Sequence, residues 1–205
     1  MTQIVLDMSA NTTKNDNAYL KRMLDELRAV DTGKHEIIIK AQLFMSAGQN
    51  IRMTASHFDC MYKYAQALGY KCTASVFDKR SLNTLLDYDI PFVKIANDKE
   101  KRLLIGDIPR KYRVYFSYTE NKPIPYLDAN VHEMFCISEY PADIDKYLNN
   151  SGYFTGSKIS DHTIGTELFK YGGIEVWEKH YKLKDSTGLD AGSWAITPEE
   201  LAEIL

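Results

Sequence analysis

Eight short β-rich runs, separated by helical or turn-like segments, constrain this chain more than any other feature of its sequence. They are Ile4–Met8 (IVLDM), Glu36–Gln42 (EIIIKAQ), Lys71–Ser75 (KCTAS), Phe92–Ala96 (FVKIA), Arg113–Ser117 (RVYFS), Glu133–Ile137 (EMFCI), Gly156–Ile159 (GSKI) and Glu175–His180 (EVWEKH). Between the first two, NAYLKRMLDELRAV sets Tyr19, Leu20, Met23, Leu24, Leu27 and Val30 at helical spacing, which predicts a crossover helix with one apolar face. HFDCMYKYAQALG repeats the pattern and stops at Gly69, and Arg80–Asp87 forms a shorter helix before Ile90-Pro91. Later connections shrink to a turn or two at Asp143–Leu148 and Gly165–Tyr171. A last helix starts after Thr197, where a capping hydroxyl precedes Pro198, Glu199 and Glu200.

Strands alternating with helices call for a parallel sheet, and a sheet of eight strands removes its edges by closing on itself. The expected fold is therefore α/β, a minimal (β/α)8 TIM barrel forming one domain over 1–205, with short or missing helices in the C-terminal half. The 205 residues sit near the lower limit of about 200 for such a barrel. An open doubly wound sheet is the rival, but no glycine-rich loop of the GxGxxG or P-loop kind supports it.

Composition narrows the function classes. Apolar residues are 44% and charged residues 26%, as in soluble globular chains. There is neither an apolar run near the ~20 residues of a spanning helix nor a basic-then-apolar leader, so the expectation is a cytoplasmic protein with no membrane partner. A net charge of −3 provides no basic field for nucleic acid. Cys60, Cys72 and Cys136 are widely spaced and lack CxxC pairing, which excludes a disulfide framework and a cysteine zinc site.

In a barrel the C-terminal strand ends converge on one mouth. The residues there are Asp7 with Ser9 and Asn11, Lys40 with Gln42, Ser75, Lys94 with Asn97, Ser117, Ser138, Ser160 with Asp161 and His162, and Glu178 with His180. Lys40 and Lys94 lie in apolar strands, where a buried ammonium is costly unless an anion or a carboxylate meets it. The pair suggests an anionic ligand, with Ser75, Asn97, Ser138 and Ser160 as neutral donors of the kind that hold phosphate oxygens. His162 and His180 fall on neighbouring strand ends. They are either structural histidines or a pair sharing one divalent transition metal that keeps open positions for substrate. Asp7, Asp161, Glu178 and Asp190 are candidate bases or supports for such ligands.

These residues, in this order, resemble the sialic acid synthase (N-acetylneuraminate synthase) family over nearly the whole chain. LDMSANT is similar to the family's first-strand AEIGxNH, with Asp7 at its glutamate and Asn11 at its asparagine; IIIKAQ is similar to its KFQ segment, and LGYKCTASVFD to its lGieflsTpFD. FVKIAND, VYFSYT and FCISEYPAD match further strand ends, GLD matches a C-terminal GpD, and ISDHTIG…GGIEVWEKHY is very like SDHtlG…EkHF. The resemblance implies a synthase that condenses phosphoenolpyruvate with an N-acetylmannosamine-like aldehyde to a 2-keto-3-deoxy sugar acid, releasing phosphate. It implies that His162 and His180 bind a divalent metal, Mn2+ above Mg2+ or Co2+. Lys40, Lys94, Ser75, Asn97, Ser138 and Ser160, with Ser117 on the same wall, would then hold phosphoenolpyruvate, with Asp7 and Asp190 as the water-side and metal-side acids. Gln42, Tyr140 and Asn11 would line the same pocket, and Glu178 would be a further catalytic acid.

The departures define the alternatives. Asp7 is one methylene shorter than the family glutamate, Lys99 stands at another glutamate, Asn97 at a serine and Phe135 at a histidine. The expectation is a short form, without the family's C-terminal antifreeze-like domain, so that a homodimer or a separate chain completes the sugar site. The alternatives are an impaired barrel that binds a phosphorylated metabolite or partner, and a synthase whose phosphorylated sugar acceptor meets Lys99.

Overall fold

The protein is described by a computed structural model over residues 1–8, 16–43, 52–119, 128–149 and 156–205. Eight parallel strands close into a barrel in chain order: β1 (Gln3–Asp7), β2 (Glu36–Leu43), β3 (Lys71–Val76), β4 (Val93–Ile95), β5 (Val114–Tyr118), β6 (Val131–Cys136), β7 (Ser157–Asp161) and β8 (Ile174–His180). All eight expected runs are strands, and the expected barrel is the fold.

Strand side chains alternate between two faces, and the alternation divides the core. Ile4, Leu6, Ile37, Ile39, Phe116 and Trp177 point outward into the main apolar cluster under the helices. Val5, Ile38, Phe92, Tyr115, Met134 and Val176 form a separate cluster inside the barrel. One step further along the same inner face the residues turn polar. Asp7 pairs with both Lys40 and His180, Ser75 with Lys94, and Ser160 with Glu178. The barrel is thus plugged by hydrocarbon below and floored by charge at the mouth.

The helices shorten as expected. α1 (Asn17–Val30) buries Leu20, Met23, Leu24 and Leu27, the predicted apolar face. α2 (Ala55–Ala67) is followed by Gly69 at φ +90°, the left-handed position where an added Cβ would strain the backbone. α3 (Lys79–Leu86) opens on an Asp78–Ser81 capping box. The later helices are one turn or so: α4 (Ile144–Leu148), α5 (Glu167–Lys170) and α6 (Pro198–Ala202), the last capped by Thr197 and Glu200 as its sequence predicts. After β4 a 3-10 helix, Lys101–Asp107, replaces the α-helix, and its apolar pattern is too short to be read from sequence. Among the described residues no helix is long and apolar enough to cross a membrane.

Candidate functional site

A cavity opens at the C-terminal mouth. It is lined by Asp7, Lys40, Gln42, Ser75, Phe77, Lys94, Ala96, Asn97, Asp98, Ser117, Cys136, Ser138, Tyr140, Ser160, His162, Glu178, His180 and Asp190. Every site residue expected from sequence is in that list except Asp161 and Asn11, the latter lying with Ser9 outside the described residues. Sequence reasoning missed Phe77, Ala96, Asp98 and Cys136. The first two and Cys136 were findable, because each sits two residues from an inward-facing strand residue and so shares its face.

The floor is a chain of opposite charges. Lys40 Nζ donates to Asp7 Oδ2 at 2.6 Å and to Ser75 Oγ at 3.0 Å, and it lies 3.8 Å from Glu178 Oε2. Lys94 Nζ donates to Ser117 Oγ at 2.6 Å and lies 3.5 Å from Glu178 Oε1. Ser160 Oγ donates to Glu178 Oε1 at 2.8 Å. Both lysines are 2% exposed, so each charge depends on its neighbours rather than on water. Burial works against the Lys40 charge, but Asp7 and Glu178 outweigh it and hold its pKa above the ordinary lysine value. Lys94 goes the other way: burial lowers its pKa, Lys40 adds to the drop, and Glu178 opposes it. Burial alone would raise Glu178, yet Lys40 and Lys94 outweigh burial and hold it down at about 2.

Next to this floor, Asn97 Nδ2 donates to Ser138 Oγ at 2.8 Å and to Thr119 Oγ1 at 2.5 Å. Gln42 Nε2 bridges the two remaining acids, donating to Asp7 Oδ2 at 2.8 Å and Asp190 Oδ2 at 3.0 Å. Burial, with Asp7 nearby, raises the Asp190 pKa against the pull of His180 and Lys40.

The opposite wall is aromatic. The His162 and His180 rings are 5.5 Å apart at 33°, Tyr140 stacks 4.2 Å from His162, and Trp194 meets Tyr140 edge-on at 5.5 Å. His162 Nδ1 is 2.7 Å from the Ile137 carbonyl, which can only accept, so the proton sits on Nδ1 and Nε2 carries the lone pair. Burial, then His180, lowers the His162 pKa to about 3, which keeps the ring neutral. His180 Nδ1 lies 3.8 Å from Asp7 Oδ2 and 3.7 Å from Asp190 Oδ2, beyond hydrogen-bond reach, and is buried with no hydrogen-bond partner among the described residues, as is Glu178 Oε2.

The donor chemistry fits a divalent ion. A neutral imidazole whose second nitrogen is fixed by a carbonyl is the usual state of a metal ligand, and an orphaned imidazole nitrogen stands beside it. Among the described residues no group of three or more His, Cys, Asp or Glu side chains is gathered for a metal. Asp161 departs from the list of mouth acids: it faces the outside of the barrel, is 0% exposed, and pairs with Lys179 at 3.1 Å. Lys99 does not line the cavity either.

Searches against protein-family models and against curated proteins find no match to this chain. Solved structures do match. The chain is similar to N-acetylneuraminic acid (sialic acid) synthetase from Leptospira borgpetersenii serovar Hardjo-bovis, solved in complex with citrate. The TM-score is 0.76 at 23% identity, over 98% of this chain and 80% of that one. The likeness fixes the barrel. It extends to the spore coat polysaccharide biosynthesis protein of Bacillus subtilis, with TM-score 0.73, 17% identity, and 99% of this chain against 66% of that one. A truncated 3-deoxy-D-arabino-heptulosonate 7-phosphate synthase from Thermotoga maritima has TM-score 0.66 at 11% identity, over 99% and 83% of the two chains.

Proposed function

We propose that this barrel is a synthase that condenses phosphoenolpyruvate with the aldehyde of an N-acetylmannosamine-like sugar, giving a 2-keto-3-deoxy acid and phosphate. The observation that carries the reading is the pair of buried lysines, Lys40 and Lys94, on one side of a cavity whose other side is two imidazoles. Two ammonium groups with Ser75 and Ser117 hydroxyls beside them match the charge and donor pattern of a phosphorylated carboxylate. The names of the similar structures, a sialic acid synthetase and a heptulosonate phosphate synthase, point to the same chemistry.

In the reaction, the enol carbon C3 of phosphoenolpyruvate attacks the aldehyde carbon, a carbon–carbon bond forms, and the aldehyde oxygen takes up a proton. Water adds at C2, and loss of phosphate leaves the ketone. Lys40 and Lys94 orient the polyanion through both steps, with Ser75, Ser117, Ser138, Ser160 and Asn97 as neutral donors. Asp7, held by Lys40 and Gln42, would take the proton of the attacking water, and Asp190 Oδ2 lies 3.7 Å from His180 Nδ1. Glu178 occupies the space between the lysines, so it tempers their charge when the anion is absent. His162 and His180 would hold a divalent ion, manganese first, which when bound supplies Lewis-acid stabilisation of charge on the aldehyde oxygen.

The test is phosphate release from phosphoenolpyruvate with manganese and a panel of aldoses. Release that depends on N-acetylmannosamine supports the reading. Measurable phosphoenolpyruvate binding with no release for any acceptor supports an impaired binding barrel instead. Release with arabinose 5-phosphate alone supports a phosphorylated acceptor.

A further inference from the structure

Immediately behind the two histidines, on the outer face of the same strands, lies a buried ion pair that the proposed chemistry does not use. Asp161 and Lys179 are register partners across β7 and β8, and each precedes a histidine in the chain. Lys179 Nζ is 3.1 Å from Asp161 Oδ2 and donates to the Thr163 carbonyl at 2.6 Å. The Trp177 indole N–H donates to the same Asp161 Oδ2 at 2.9 Å, and the Thr163 backbone N–H donates to Oδ1 at 2.7 Å. Both charged side chains have no exposed surface.

Fold stability does not explain this arrangement, because a buried ion pair is commonly matched or bettered by apolar side chains of the same volume. An ion pair supplies direction instead. Three of its contacts join residues 161 and 163 at the end of β7 to residues 177 and 179 of β8, the fourth ties Thr163 back to Asp161, and His162 lies inside the joined segment with His180 next to it. On the inner side, His162 is held by the Nδ1 contact with the Ile137 carbonyl and by the Tyr140 ring, while His180 Nδ1 has no hydrogen-bond partner among the described residues. We propose that Asp161 and Lys179 are positioning residues: a clamp outside the barrel that sets how the His162 and His180 imidazoles face each other, without touching any ligand. The metal readout of this proposal rests on the reading of the site given above, whereas the imidazole readout does not.

The experiment replaces the pair by hydrocarbon, Asp161→Leu with Lys179→Met, and compares it with the wild-type chain. Three quantities are measured: thermal unfolding temperature, manganese affinity by titration, and the imidazole nitrogen spectrum of the metal-free protein. The expected result is a lowered unfolding temperature, because the Trp177 indole N–H and the Thr163 backbone groups lose their partners, manganese binding weaker by about 10–100-fold, and loss of the single Nδ1–H tautomer at His162. Wild-type manganese affinity in the folded double variant overturns the proposal. If the wild-type chain itself binds no manganese, the metal reading fails. The clamp is then judged on the imidazole spectrum alone, where an unchanged His162 signal overturns it. Should the double variant not fold, Asp161→Asn with Lys179→Met, which keeps an acceptor for one of the Thr163 and Trp177 N–H groups, is put through the same measurements with the same outcomes.

Discussion

On one flank of the mouth, Lys40 and Lys94 are closed in by Asp7, Ser75, Ser117 and Glu178 at 2.6–3.8 Å. On the other, His180 Nδ1 and the Trp194 indole N–H are buried without hydrogen-bond partners among the described residues, and Tyr140 is 50% exposed. The contrast has a physical meaning. The cationic flank is neutralised from within, so it keeps its shape when empty, and an incoming anion must displace contacts that already exist. The imidazole flank leaves polar atoms whose desolvation costs about 1–3 kcal/mol each until something bonds to them. One flank is built to exchange an anion, the other to gain ligands.

The largest effect is expected from breaking the cationic flank. Lys94→Met strips Glu178 of one of its two lysines while Lys40 and Ser160 remain, so the cost should approach, without exceeding, the ~3–5 kcal/mol of a broken buried pair. Denaturant unfolding should show that loss, and calorimetry should show no phosphoenolpyruvate binding. Adding Glu178→Gln should recover most of the stability but none of the binding. A Lys94→Met protein within about 1 kcal/mol of wild type would show that charge does not hold this flank together.

Breaking the imidazole flank should leave the other nearly untouched. His162→Ala and His180→Ala are each expected to weaken manganese binding by at least about 100-fold, with phosphoenolpyruvate affinity changed by no more than about threefold. Electron paramagnetic resonance of free manganese measures the first quantity and calorimetry the second. Stoichiometric manganese retained in the double variant sinks the assignment of these histidines.

Acid sharpens the comparison, because the flanks titrate in different windows. His162 is depressed to about 3 from an ordinary value near 6.5, so the unfolded chain binds its proton first. Its contribution to stability is complete above about pH 6.5 and is lost as pH falls toward 3. Glu178 is depressed to about 2, so its contribution is complete above about pH 4.5 and is lost as pH falls toward 2. Unfolding free energy should therefore decline in two overlapping stages. His162→Gln should shrink the upper stage, to which His35 and His132, also lowered by burial, contribute, and leave the lower one. An unaltered decline between pH 6.5 and 4.5 in that variant would place the buried titrating group elsewhere.

Much of this mouth was legible in the sequence, and the reason is geometric. Closing eight strands sends every second residue inward, so Asp7, Lys40, Ser75, Lys94 and Glu178 could be listed from their places at strand ends alone. What period-2 reading cannot supply is which charge answers which. Lys40 and Lys94 suggested an external anion, and nothing in IEVWEKH announced that Glu178 would stand between them. Asp161 was misplaced among the mouth acids because it lies one residue before His162; the strand end turns it outward, to Lys179. The 3-10 helix Lys101–Asp107 and the approach of Trp194 to Tyr140 depend on loop geometry, which carries no periodic signal.

The smallest expected effect tests that loop. A Cβ on Gly192 would lie 2.2–2.6 Å from ring atoms of Trp194, so Gly192→Ala must push the indole aside. The indole is a side chain on a half-buried loop, and it can move without disturbing the barrel. Tyr140 would then lose an edge-to-face partner worth about 0.5–1.5 kcal/mol, and its stacking on His162 would loosen. If the imidazole flank acts independently of the lysines, although Asp7 lies between Lys40 and His180, the change stays local. Manganese affinity should drop by about two- to tenfold, the figure that this ring contact converts to, while phosphoenolpyruvate affinity holds. Tryptophan fluorescence reports whether the ring has moved, since the other indole, on Trp177, is buried and bonded to Asp161. A shifted indole signal with a fall in phosphoenolpyruvate affinity as large as that in manganese affinity would mean that the two flanks are one coupled unit.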